Sequence, residues 1–252
     1  MRHEFKPTLN SNPDAVYGIN SVKEALGVRT VDYVLVTQGQ RSPRVGEILG
    51  ACRTAGVQVR FAPRVALDRA ARTEQHQDVV AICAAKKYDD LETLVTSSDK
   101  PLIVALDGVE DAGNLGAIVR TAVGAGAAGV VIPERRAAGV SAAVARAAAG
   151  ALEHARIARV TNLVRALVEL KKQNVWVYGF EAQAPKSYLD LDYTVACAVV
   201  LGGEGRGLHR LTREACDELA GIPIAGKVQP LNVSVAAGVV LYEAVRQRSG
   251  RK

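Results

Sequence analysis

Three short stretches of this chain combine the residue types that could do chemistry. In LGGEGRGL, residues 201–208, one carboxylate, Glu204, stands among Gly202, Gly203, Gly205 and Gly207. Glycine lets a backbone come close to a flat ligand and permits turns that a side chain forbids. The loop directly follows the apolar run ACAVVL, and loops at such strand ends are where open α/β sheets place ligands. The stretch 222–238, IPIAGKVQPLNVSVAAG, repeats the arrangement: an apolar strand, a glycine-containing loop, then a helix opened by Asn232 with Ser234 in its first turn. Two such loops close together predict one binding site built from both. The third stretch is DAGNLGAIVRTA, residues 111–122. Asn114 precedes the helical pattern LGAIVRTAV and reads as its N-cap. Arg120 puts one guanidinium among Ala117, Ile118, Val119, Ala122 and Val123. Each residue also has a purely structural reading. Asn114 and Asn232 could only cap, Ser234 could only bond backbone, and Glu204 could be a solvated turn carboxylate. Arg120 could sit in an ion pair with Asp107 or Glu110.

The elements that must position these residues alternate strand and helix. From residue 102 the order reads strand LIVALDGV, helix from Leu115, strand GVVIP, an alanine-rich helix near 141–152 and a helix at 162–172. It continues with strands VWVYGF, ACAVVLG and IPI, and a final helix from Val233. Strands of five or six apolar residues without polar alternation are buried on both faces, which predicts a parallel sheet covered by helices. Upstream, helix 19–26, strand 31–37, helix 43–55, strand 57–62, helix 65–71 and strand 79–84 make a small α/β sandwich. The boundaries drawn are a flexible tail at 1–14, an N-terminal domain at 15–88, a polar linker at 89–100 and a C-terminal domain at 101–252. Gly124, Gly126 and Gly129 spell a GxGxxG, but they end a helix and lead into a strand. A dinucleotide fingerprint runs in the opposite order, so nucleotide binding there is rejected.

Composition narrows the class. With 252 residues and 48% hydrophobic content the chain can bury a core, and no apolar run approaches bilayer length. The N-terminus lacks the apolar centre of a signal peptide, so the expected compartment is the cytoplasm. The formal charge of +6 favours a polyanionic partner. Seven arginines between Arg41 and Arg72 face only Glu47 and Asp68, which suits either RNA contact or a solvated face. Cys52, Cys83, Cys197 and Cys216 are too widely spaced for a metal knuckle, and the four histidines form no ligand pattern and read as ordinary surface residues. No metal is expected.

Taken together, DAGNLGAIVRTA, LGGEGRGL and LNVSVA resemble the three motifs of the SpoU (TrmH) branch of the SPOUT methyltransferases, in the right order. The resemblance implies a trefoil-knotted C-terminal domain and transfer of a methyl group from S-adenosylmethionine to a ribose 2′-hydroxyl of RNA. Asn114 and Arg120 match the first motif, Glu204 the second, and Asn232 and Ser234 the third. Matching main-chain positions imply cofactor contacts at Gly202, Ile222 and Leu231. YGINSVKEAL and HQDVVAI resemble the substrate-binding domain that precedes the knot in one subgroup, a fold like ribosomal protein L30e. The resemblance further implies a homodimer formed through the C-terminal domain, with both subunits contributing to each site.

Two positions depart from the family pattern. Asp78 replaces the glycine that usually follows His-Gln, and Pro230 replaces a common serine. Proline has neither N–H nor hydroxyl, so any contact by that serine is absent. The two-domain layout points to a guanosine of large-subunit ribosomal RNA. The same reaction on transfer RNA, or on an rRNA adenosine as in resistance enzymes, and an RNA-binding assembly factor without catalysis stay open. On the leading reading Arg120 stabilises developing oxyanion charge and anchors an adjacent phosphate, because arginine keeps its proton.

Overall fold

The computed structural model describes residues 14–40, 42–84, 86–203, 207–226 and 229–250. The chain divides into two compact units, residues 1–87 and 88–252. The expectations for the tail, for Arg41 and for Glu204 lie outside the described residues or, for the tail, almost so: Asp14 already opens a strand.

In the first unit the elements are β1 (Asp14–Tyr17), α1 (Ile19–Val28), β2 (Val31–Thr37), α2 (Pro43–Ala55), β3 (Gln58–Ala62), α3 (Arg64–Ala71) and β4 (Val79–Cys83). Local sequence sets the ends of α2. Ser42 caps it by accepting the Val45 N–H, Pro43 occupies the first turn, and Gly56 ends it at φ +67°. The sheet order is β1-β4-β2-β3, with β3 parallel to β2 and β4 antiparallel to both its neighbours. Strand β1 was not anticipated. Its four residues DAVY are too few to show a period, and pairing with β4 is what makes them a strand.

The second unit contains α4 (Leu91–Val95), β5 (Leu102–Asp107), α5 (Ala112–Gly124), β6 (Gly129–Pro133) and α6 (Ala142–Ala147). It continues with β7 (Ile157–Val160), α7 (Leu163–Lys172), β8 (Trp176–Phe180), β9 (Lys186–Ser187), β10 (Cys197–Gly202), α8 (Arg210–Ala215), β11 (Glu218–Gly221) and α9 (Val233–Arg248). All seven strands are parallel, in the order β7-β6-β5-β10-β8-β11-β9. Alternate residues serve opposite faces. Leu102, Val104 and Leu106 of β5 pack with Leu115, Ile118 and Val119 of α5 and with Val240 and Leu241 of α9. Ile103 and Ala105 of the same strand pack with Leu94 of α4 and Leu163, Leu167 and Leu170 of α7. The expected helix-covered parallel sheet is therefore what the chain forms.

The details differ from expectation in two places. The strand expected at 222–224 is β11, four residues earlier, because Glu218 to Ala220 pair with β8 and Pro223 has no N–H for a ladder. The polar segment 89–100 is built into this unit: Asp89 exchanges backbone and side-chain bonds with Ile157, and Leu94 is fully buried.

Strand β10 enters between β5 and β8, so the order reverses at β5/β10. In open α/β sheets the crevice beyond the carboxyl ends of strands at such a reversal is where ligands bind.

Candidate active site

Asp107 ends β5 and is 7% exposed. Its carboxylate is used twice by one residue: Oδ2 accepts the His209 backbone N–H at 2.8 Å, and Oδ1 lies 3.0 Å from His209 Nδ1. A carboxylate can only accept, so Nδ1 carries the proton and the imidazole is held in one orientation. This pair ties the start of α8 over the end of β5. Beside it the two central strands come together through glycine. The Gly203 N–H donates to the Asp107 carbonyl at 2.8 Å, and a Cβ on Gly203 would stand 2.1 Å from the Gly108 carbonyl oxygen. The Gly207 N–H donates back to the Gly203 carbonyl at 3.2 Å, closing the loop that carries Glu204.

Helices α5 and α9 supply the other wall. The N-cap of α5 is Asp111, whose Oδ1 accepts the Asn114 N–H at 2.7 Å. This corrects the capping role expected of Asn114: the helix begins three residues earlier, because Asp111 accepts the Asn114 N–H and so caps a first turn that already contains Asn114. The Asn114 side chain is turned to α9 instead, where its Oδ1 accepts a hydrogen bond from Asn232 Nδ2 at 3.0 Å. Asn232 does cap α9, its Oδ1 accepting from the Ser234 N–H at 2.8 Å and from Ser234 Oγ at 2.6 Å. Those two bonds orient the amide so that its NH₂ faces Asn114. A Cβ on Gly238 would lie 4.0 Å from Thr121, and one on Gly124 3.4 Å from the Tyr242 hydroxyl. The helices therefore run parallel, with both positive ends at the site.

The space enclosed is a cleft of about 540 Å³, walled by residues 107–111, Asn114, Gly203, Gly207, His209 and Val233. That volume suits a nucleoside-sized ligand. Of the expected site residues, Asn114, Asn232 and Ser234 meet directly. Gly202 is paired with Asp107 across β10 and β5. Ile222 follows β11, half-buried against the core, and Leu231 is 39% exposed just before Asn232. Arg120 stands apart. It is exposed, and among the described residues it has no ion pair, so the pairing weighed with Asp107 or Glu110 is not formed. Six residues along a helix turn a side chain roughly 120° from its starting face, which separates Arg120 from Asn114.

His209 was read as an ordinary surface histidine, and its place in the cleft corrects that. His76 is corrected too, being fully buried with Nε2 2.9 Å from Asp68 and Nδ1 accepting the Asp78 N–H. No spacing rule could have joined His209 to a carboxylate 102 residues away. Among the described residues no group of three or more His, Cys, Asp or Glu could hold a metal ion, and no helix is long and apolar enough to cross a membrane.

Comparison with known proteins accords with this geometry. Residues 101–242 match the SpoU rRNA Methylase family, and residues 15–89 match the RNA 2′-O ribose methyltransferase substrate binding family. The chain is 43% identical over 247 residues to the 23S rRNA (guanosine-2′-O-)-methyltransferase RlmB of Xylella fastidiosa strain 9a5c, covering 96% of this chain and 99% of that one. It is 39% identical to RlmB of Escherichia coli K12 over 241 residues, 94% and 99% of the two chains. Among solved structures, the SpoU methyltransferase AviRb of Streptomyces viridochromogenes in complex with AdoMet superposes with a TM-score of 0.79. That pair is 26% identical, covering 94% of this chain and 90% of that one.

Proposed function

This chain belongs to the SpoU rRNA methylase family, and on that premise we propose that it methylates a guanosine 2′-hydroxyl of 23S rRNA with S-adenosylmethionine. The single observation that carries the reading is the Asn232–Asn114 bond. It joins motifs 118 residues apart at two parallel helix N-termini, beside a glycine loop and a nucleoside-sized cleft. Near-full-length similarity to the RlmB relatives, N-terminal unit included, supports rRNA over transfer RNA. Acting on ribosomal RNA, the protein works in the cytoplasm.

The cofactor supplies an already activated methyl on a sulfonium, so the protein's task is alignment and charge. The residues fit such a group: glycine main chain at Gly202 and Gly203 gives close approach, and Ile222 and Leu231 give apolar surface and backbone donors. Glu110 and Asp111 at the cleft favour a cationic donor over an anion. Asn114 and Asn232, each oriented by the other, would hold the ribose with its 2′-oxygen turned to the methyl donor. The positive ends of α5 and α9 stabilise the charge that develops on that oxygen. Glu204 holds the guanosine or orients Arg120. Arg120 stabilises the oxyanion and anchors an adjacent phosphate.

Exposed Arg120 enters a site through a second copy. On α9, Val235 and Tyr242 are 51% and 55% exposed and stand seven residues apart, on one face of the helix, and Leu231, just before its cap, is 39% exposed. A partner chain packed there would also cover the neighbouring face of α5. The trefoil knot belongs to the same proposal, supported by the late entry of β10 between β5 and β8.

The test is transfer of labelled methyl to rRNA from a strain lacking the gene, mapped by ribose-methylation sequencing, with Arg120→Ala alongside. One labelled guanosine in 23S rRNA, lost in the variant, is the expected result. No transfer to naked rRNA, ribosomal precursors or tRNA from folded protein would overturn the reading in favour of a binding factor.

A further inference from the structure

A second cleft, about 440 Å³, opens beyond the ends of β6 and β7, between the start of α7 and α8. It shares Asp107, Gly108, Arg136 and His209 with the candidate active site, so the two form one continuous trough. Their charges are opposite. The first cleft carries Asp107, Glu110 and Asp111 against Arg136. The second carries Arg135, Arg136 and Arg210 against the single carboxylate of Asp107, which is already bonded to His209.

The arginines are exposed. Arg210 has an ion pair with Glu214 at 2.6 Å, but those side chains are 75% and 54% exposed, and water and salt weaken such a pair. Arg136, on the shared wall, is held at φ +57°. Non-glycine residues in the left-handed region are uncommon, persist where their surroundings impose them, and gather at ligand sites. The first turn of α7, capped by Asn162, adds its positive end to the same space.

We propose that this second cleft binds the phosphodiester backbone of the RNA strand flanking the ribose held in the first cleft. Arg136 takes the first phosphate on the side of the reacting nucleotide away from the one given to Arg120, and Arg135 and Arg210 take those further along. The inference rests on the function proposed above and adds where the strand runs. Guanidinium forks match phosphate oxygens two at a time. Phosphates are repelled by the three carboxylates of the first cleft, so the strand leaves it toward the arginines. The apolar part of the wall, Pro133, Leu163 and Leu211, gives the sugars a surface to lie on.

The test uses the full-length protein and a labelled 23S rRNA fragment, with affinity followed against salt for wild type, Arg135→Ala, Arg210→Ala and Arg135→Lys. Each alanine variant should weaken RNA binding roughly tenfold, as expected for one charge-assisted contact. It should also flatten the slope of log affinity against log salt by about 0.7. Arg135→Lys should keep most of the slope. Affinity for S-adenosylmethionine and the melting temperature should match wild type, and KM for RNA should rise more than kcat falls. Unchanged RNA affinity and slope in both alanine variants would overturn the proposal. Loss of S-adenosylmethionine binding with RNA binding intact would overturn it too, assigning the cleft to the cofactor. If wild type binds the RNA yet transfers no methyl while the alanine variants still flatten the slope, the phosphate cleft stands and the methyl-transfer reading fails.

Discussion

Asn232 does two jobs with one amide, and the jobs can be separated. Its oxygen caps α9 and accepts from Ser234, while its nitrogen donates to Asn114. Asn232→Ala removes both, and loss of the cap alone costs about 1 kcal/mol. Asn232→Asp keeps an oxygen for the cap but sets a carboxylate against the Asn114 oxygen. The expected outcome is a lowered melting temperature for the alanine variant and a near-normal one for the aspartate. Single-turnover methyl transfer should fall at least tenfold in both. If Asn232→Asp transfers methyl at the wild-type rate, the amide pair has only a structural role. At the same scale, Asp78 shows how a departure from the family pattern is tolerated. It stands at φ +64°, where glycine is at ease, yet aspartate also visits this region. Gln40 Nε2 donates to its Oδ2 at 2.7 Å. Burial pushes its carboxyl pKa up, and the nearby Thr37 hydroxyl, the Gln40 hydrogen bond and the Arg64 charge outweigh that and bring it below the ordinary range.

Among the elements, the junction of β5 and β10 is the least tolerant of change. Their backbones are fixed by a six-residue parallel register that places Gly202 opposite Asp107, and the next residue, Gly203, meets the Gly108 carbonyl. A methyl group there has no flexible side chain to push aside. Gly203→Ala should therefore lower the melting temperature through overpacking, costing roughly 1–3 kcal/mol, and abolish methyl transfer by opening the cleft. Gly46→Ala in α2, where a Cβ meets nothing within 4 Å, is the control and should stabilise slightly. Thermal melts of the two variants against wild type check this. A Gly203→Ala protein that melts and reacts like wild type would mean that the strands part easily at their ends. The glycine count of the loop was plain in the sequence. Which glycine faces backbone was not, because that depends on a strand about a hundred residues away.

At the scale of the whole molecule, the proposal is that two chains make one site. The exposed apolar stripe of α9 and the exposed Arg120 lie on adjacent helices that run side by side, and both make sense if a second copy covers them. Tyr242→Asp places a charge in the stripe. Light scattering should show wild type as a dimer at micromolar concentration and the variant shifted toward monomer, with methyl transfer falling in parallel and the fold retained. A monomeric wild type with full activity would remove the dimer from the proposal and leave Arg120 to act within its own chain.

By itself the sequence determined the local matters. Uniformly apolar strands announced a parallel sheet buried on both faces, Asn232 announced the start of α9, and the reversed order of glycines and strand excluded a nucleotide loop at 124–129. It also placed the three motif stretches that furnish the site. The tertiary structure decided what depends on pairing across long separations. It put β10 beside β5, turned Asn114 from a cap into the partner of Asn232, locked His209 on Asp107 and left Arg120 facing outward. Periodicity and capping report on neighbours within about two helical turns. Partners more than a hundred residues apart are chosen by strand order and helix packing, and those are settled only when the whole sheet forms.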